Sequence, residues 1–136
     1  MEDRDRHALG MTTRREVLGD AYVDRAVRHQ NAFNEEFQDL LTRYAWGEIW
    51  SRPGLSRQTR SCMTLSMMLA LGHWDEFKLH VRGAFNNGLT REEIKEVLLQ
   101  AANILRGRKV RFQIALGAMG TAVLHPQGIV PKGRRS

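Results

Sequence analysis

At 136 residues and 15.6 kDa the chain has room for one domain with a real core, and its single cysteine, Cys62, excludes an internal disulfide and a dithiol redox pair. Hydrophobic residues at 42% and charged residues at 26% describe a globular protein. The 21 Lys and Arg outnumber the 15 Asp and Glu, but the excess sits in Arg106–Arg111 and in the tail Lys132, Arg134 and Arg135, so the body is near neutral. It carries no reading motif or basic face with stacking aromatics, which argues against nucleic acid as a partner. No apolar run approaches the ~18 residues of a membrane span, and MEDRDRHALG is no signal peptide. The expectation is a cytoplasmic protein forming a single domain over residues 1–136, with no membrane contact.

In chain order, Thr13 to Leu18 read as a helix stopping at Gly19, and Asp20 reads as the cap of the next helix, through Val23 and Val27. From Asn31, the residues Phe33, Phe37, Leu40, Leu41 and Tyr44 recur at three- and four-residue spacing, the mark of a helix burying one stripe. That helix is expected to end near Trp46-Gly47, leaving GEIWSRPG (47–54) as a loop. Ser56 caps a helix from Arg57 to Leu71 whose second half is apolar nearly all round, so it is expected to be central and most buried. Gly72 closes it. The next helix, Trp74 to Asn86, carries Trp74, Phe77, Val81 and Phe85 on one side and stops at Asn87-Gly88, where glycine suits a left-handed cap. Thr90-Arg91-Glu92-Glu93 is a capping box opening a helix that turns Ile94, Val97, Leu98 and Ala101 inward. A last helix is expected over about Phe112 to Val123. No alternating β-branched run exists, so the fold class is all-α, without a sheet.

Four groups of residues can carry chemistry. His73, Glu76, His80 and Asn87 share one side of a helix, as a polar stripe or as a solvated face. The two histidines stand seven apart, not the four of a zinc helix, and no metal is expected. Trp46 and Trp50 flank Glu48, either closing the end of the bundle or walling a ligand with the carboxylate as acid, base or orienter. Arg52, Arg57, Arg60 and Arg82 offer planar forks for carboxylates, although arginines are commonly surface charges. Cys62 reads as a small buried hydrophobe.

The runs RREVLGDAYVDRA, FQDLLTRYAWGEIWSRPGLSRQTRS and HVRGAFNNGLTREEIKEVLLQAA resemble the 4-carboxymuconolactone decarboxylase family, relatives of the alkylhydroperoxidase D-like proteins. The resemblance covers about Arg14 to Ala102. It implies a compact multi-helix bundle of the alkylhydroperoxidase D-like type, a homo-oligomer (typically a hexamer), and a cofactor-independent loss of carbon dioxide from a small dicarboxylate lactone. The product it implies is the 3-oxoadipate enol-lactone, a step in protocatechuate breakdown. Where peroxidase relatives carry Cys-x2-Cys-x3-His, this chain has His73, Glu76 and His80, so disulfide-based peroxide chemistry is excluded. With that resemblance, His80 becomes the expected proton donor and Glu48 its orienter. Trp46 and Trp50 become the apolar wall, and Arg60, Arg82 and Asn87 the groups that hold substrate. After LLQAA the family continues with a Tyr-Cys-Gly-x-Pro type turn, whereas this chain reads NILRGRKVRFQIALG, as a compensated frameshift would produce. That departure motivates the alternative of a weakly active or inactive oligomeric homologue that only binds a small molecule.

Overall fold

The computed structural model describes residues 1–105 together with 123–125 and 128–130. Contacts divide the chain into two units, Met1–Arg60 and Ser61–Ser136. The helix expected over 112–123 and the basic runs at 106–111 and 132–135 lie outside the described residues.

The first unit holds α1 (Asp3–Leu18), α2 (Asp20–Arg28) and α3 (Glu35–Leu41), the last running on into a π-helix, Thr42–Ile49. Helix α1 is ten residues longer at its start than its apolar spacing suggests, because ion pairs such as Arg6–Asp3 and Arg43–Asp3 tie down its polar first turn. Asp20 does not cap α2. Its carboxylate faces Arg15 at 3.1 Å, and the cap position is Gly19. The segment expected to be a loop from Gly47 is still helical to Ile49, and the amide of Trp50 donates to the carbonyl of Ala45 at 2.9 Å, a five-residue step.

Glycine explains why α1 and the π-helix approach so closely. A β-carbon on Gly10 would strike the carbonyl oxygen of Thr42 and come within 2.9 Å of the Gly47 amide. One on Gly47 would strike the carbonyl of Arg6. Backbone therefore lies on backbone at this crossing, with Thr13, Val17, Thr42 and Trp46 buried beside it.

The second unit contains most of α4 (Arg57–Leu71), then α5 (Trp74–Asn86) and α6 (Arg91–Leu105). Its core is Leu65, Leu69, Phe77, Val81, Ala84, Leu89, Ile94, Leu98 and Ala101, with Trp74, Phe85 and Val97 packed against it. Gly72 and Gly88 take positive φ, 73° and 92°, and both end their helices with paired amide bonds. His73 N–H reaches Met68 and Gly72 N–H reaches Leu69; Leu89 and Gly88 repeat the pattern onto Ala84 and Phe85. The capping box forms as read: Thr90 N–H donates to Glu93 at 2.8 Å and Glu93 N–H to Thr90 Oγ1 at 3.1 Å.

Two burial expectations fail. On α4 only Ser61, Leu65 and Leu69 are buried, while Met63, Met67 and Leu71 are exposed. The stripe expected to be buried around α3 faces out instead, with Phe33 98%, Phe37 63%, Leu40 54% and Tyr44 62% exposed. The fold class is all-α as expected. The sole sheet among the described residues is a two-stranded antiparallel ladder, β1 (Val123–His125) with β2 (Gly128–Val130), where no sheet was expected.

Candidate active site

In the first unit the π-helix carries Trp46, Glu48 and, just past its end, Trp50. Trp46 is buried and its ring stacks on Trp50, centroids 5.3 Å apart and planes 20° apart. Ser51 anchors the pair: its hydroxyl donates to the Trp46 carbonyl at 2.6 Å and meets Thr13 Oγ1 at 3.0 Å. The half-exposed Glu48 carboxylate sits 2.9 Å from Arg6 Nε, off the line of the N–H bond, and 3.9 Å from Arg52 Nη1. Arg6 was not anticipated as its partner. Arg60 turns Nη2 onto the Arg52 carbonyl at 3.2 Å, while its Nε is buried without a hydrogen bond. Arg57 is spent on Glu16 at 2.7 Å.

In the second unit the polar stripe of α5 divides. His73 and Glu76 are exposed, and His73 stands at the N-cap position without a side-chain cap bond. His80 and Asn87 are buried. Asn87 Nδ2 donates to Ser61 Oγ at 2.9 Å, fastening the end of α5 to α4. Arg82 is half-buried. Among the described residues no group of His, Cys, Asp and Glu is placed to hold a metal ion.

A solvated imidazole titrates near neutral pH, but His80 is buried. Burial pushes its pKa down to about 4, and the nearby Glu76 carboxylate offsets only part of that. The buried imidazole is thus neutral at pH 7. Cys62 is half-buried, and burial raises its thiol pKa, with the Glu93 charge adding to the effect. Its thiol is held protonated, in line with a packing role.

A model of the carboxymuconolactone decarboxylase family matches residues 35–128, a span containing every residue considered above from the aromatic pair to Asn87. The chain is 48% identical over 102 residues to a 4-carboxymuconolactone decarboxylase of Acinetobacter baylyi, covering 75% of this chain and 76% of that protein. It is 46% identical over 93 residues to a nitrosuccinic acid decarboxylase of Metarhizium robertsii, covering 68% of this chain and 65% of the relative. A 48-residue 4-carboxymuconolactone decarboxylase sequence from Pseudomonas putida matches over its whole length at 50% identity, across 35% of this chain. With the family model matching well over half its length, this chain belongs to the carboxymuconolactone decarboxylase family.

Proposed function

We propose that the chain is a carboxy-lyase that converts 4-carboxymuconolactone to the 3-oxoadipate enol-lactone. The observation that carries this reading is the 48% identity, across three-quarters of both chains, to a relative named for that reaction. Breaking the bond to the ring carboxylate releases carbon dioxide and leaves an electron pair on the ring carbon. That pair moves through the ring double bond into the lactone carbonyl, giving a dienolate, and a proton then adds to the carbon beside the carbonyl. The lactone is its own electron sink, so the reaction requires no pyridoxal, thiamin or metal.

Three tasks remain for the protein. Arg60, whose Nε lacks a hydrogen bond, and Arg82 are proposed to hold the carboxylates as forks. The stacked Trp46 and Trp50 are proposed to present apolar surface to the departing carboxylate. His80 is proposed to deliver the proton, with Glu48 as the group that orients it and Asn87 as a further substrate contact. Because His80 is neutral when the site is empty, its proton must arrive with the doubly anionic substrate, whose charges raise an imidazole's pKa. The chain is further proposed to act as a homo-oligomer, with a hexamer as the assembly the resemblance implies; the exposed Phe33, Phe37, Leu40 and Tyr44 support a covered face.

Incubation of the full chain with 4-carboxymuconolactone, following its ultraviolet absorbance and the product by chromatography, tests the reading. Conversion to the enol-lactone is the expected result. Binding without conversion would favour the alternative of an inactive binding homologue. Neither binding nor conversion would refute both.

A further inference from the structure

Arg14 is 5% exposed, yet no carboxylate meets it among the described residues. Several less buried arginines of the same unit do meet carboxylates: Arg6 with Asp3 and Glu48, Arg15 with Asp20 and Asp24, Arg43 with Asp3 and Asp39, Arg57 with Glu16. Arg14 Nη1 reaches Thr42 Oγ1 at 3.5 Å and Nη2 reaches Gln38 Oε1 at 3.3 Å. Both are longer than the about 2.7–2.9 Å typical when a charge assists the bond. Its Nε is buried with no hydrogen bond at all. Removal from water draws the Arg14 pKa below the ordinary arginine value, but a guanidinium stays protonated near neutral pH. A buried cation with only neutral partners is the costly arrangement that proteins ordinarily avoid.

Arg14 also lines a cleft of about 50 Å³ between α1, α2, α3 and the start of the π-helix. Met11, Ala26 and Val27 supply apolar walls, and Gln30, Gln38 and Thr42 supply polar ones. The one acidic group lining it, Asp39, is occupied: its oxygens lie 3.3 Å from His7 Nε2 and 2.9 Å from Arg43 Nε. The volume suits roughly three or four waters, the bulk of a two- or three-carbon acid.

We propose that this cleft binds a small carboxylate, with the Arg14 guanidinium as the fork that receives it and Gln38 and Thr42 as supporting contacts. The carboxylate comes either from a free short-chain acid or from one arm of the lactone. In the second case alone the inference rests on the proposed function.

The test is a thermal melt of the full chain in sodium acetate, with sodium chloride holding ionic strength constant. The wild type should gain about 3–5 °C at an acetate concentration ten times its dissociation constant. Arg14→Gln should show no gain. Gln38→Glu, which places a carboxylate against the guanidinium without changing side-chain size, should melt above the wild type and also lose the acetate response. If Arg14→Gln does not fold, the Gln38→Glu melt decides alone. A wild-type rise no larger than chloride gives, or an acetate response that survives either substitution, overturns the proposal. Acetate that raises the KM for lactone without changing kcat identifies the substrate's own arm as the ligand. Acetate that binds by melting but leaves KM unchanged identifies a separate small acid. The melts read the site even if the chain does not turn over lactone.

Discussion

His80 is a histidine whose burial, not its partner, sets its charge. Its pKa falls from the ordinary 6.5 to about 4, so the unfolded chain binds the proton more tightly than the folded one. Between those values stability must fall as pH falls, by about 3 kcal/mol in total if the shift is lost entirely on unfolding. Above pH 6.5 this contribution is fully present. Denaturant melts at pH 7 and pH 4.5 should therefore differ more for the wild type than for His80→Gln, and equal losses would place the pH dependence elsewhere. For turnover, His80→Gln should lower kcat by at least ~10²-fold if His80 delivers the proton. Near-normal turnover in a folded variant would remove His80 from the mechanism and leave Glu48 as the candidate acid. Arg60→Ala should act mainly through KM, since a fork that holds a carboxylate equally in ground and transition states contributes uniform binding.

At the scale of elements, the crossing of α1 over the π-helix depends on two missing side chains. Gly10→Ala should cost about 1–3 kcal/mol from overpacking against the Thr42 carbonyl, even though alanine is the better helix former. Gly54→Ala, with nothing within 4 Å, is the matched control and should leave the urea midpoint unchanged. The difference between these two glycines is invisible in sequence, where each reads as a breaker. Local signals were legible: the Ser56 cap and the two glycine stops place α4 and α5 at their observed bounds, and the Thr90–Glu93 box places the start of α6. Those features are written in a few neighbouring residues. The π-helix was not legible, because a five-residue backbone step leaves no distinct spacing in eight residues and Gly47 and Pro53 imitate a loop. Arg14 was also missed. Nothing in the doublet Arg14-Arg15 says that one turns inward to a cleft while the other meets Asp20 and Asp24 on the surface. Among the expected site residues, periodicity placed His80 and Asn87 on one face but could not divide them from the exposed His73 and Glu76.

For the molecule as a whole, apolar periodicity reported a face that must be covered without saying by what. Phe33, Phe37, Leu40 and Tyr44 have the spacing of a buried stripe and yet face outward. If copies of the chain cover this face, light scattering should give a mass well above 15.6 kDa, and Phe37→Ser with Tyr44→Ser should reduce it. An unchanged mass in that double variant would place the contact elsewhere. Among the described residues no helix is long and apolar enough to cross a membrane. The reaction itself is tested most directly by supplying 4-carboxymuconolactone and measuring carbon dioxide released per mole of lactone consumed. One mole per mole, at a rate proportional to protein and strongly reduced in His80→Gln, is the predicted result. Lactone left intact by a folded, oligomeric chain would contradict it.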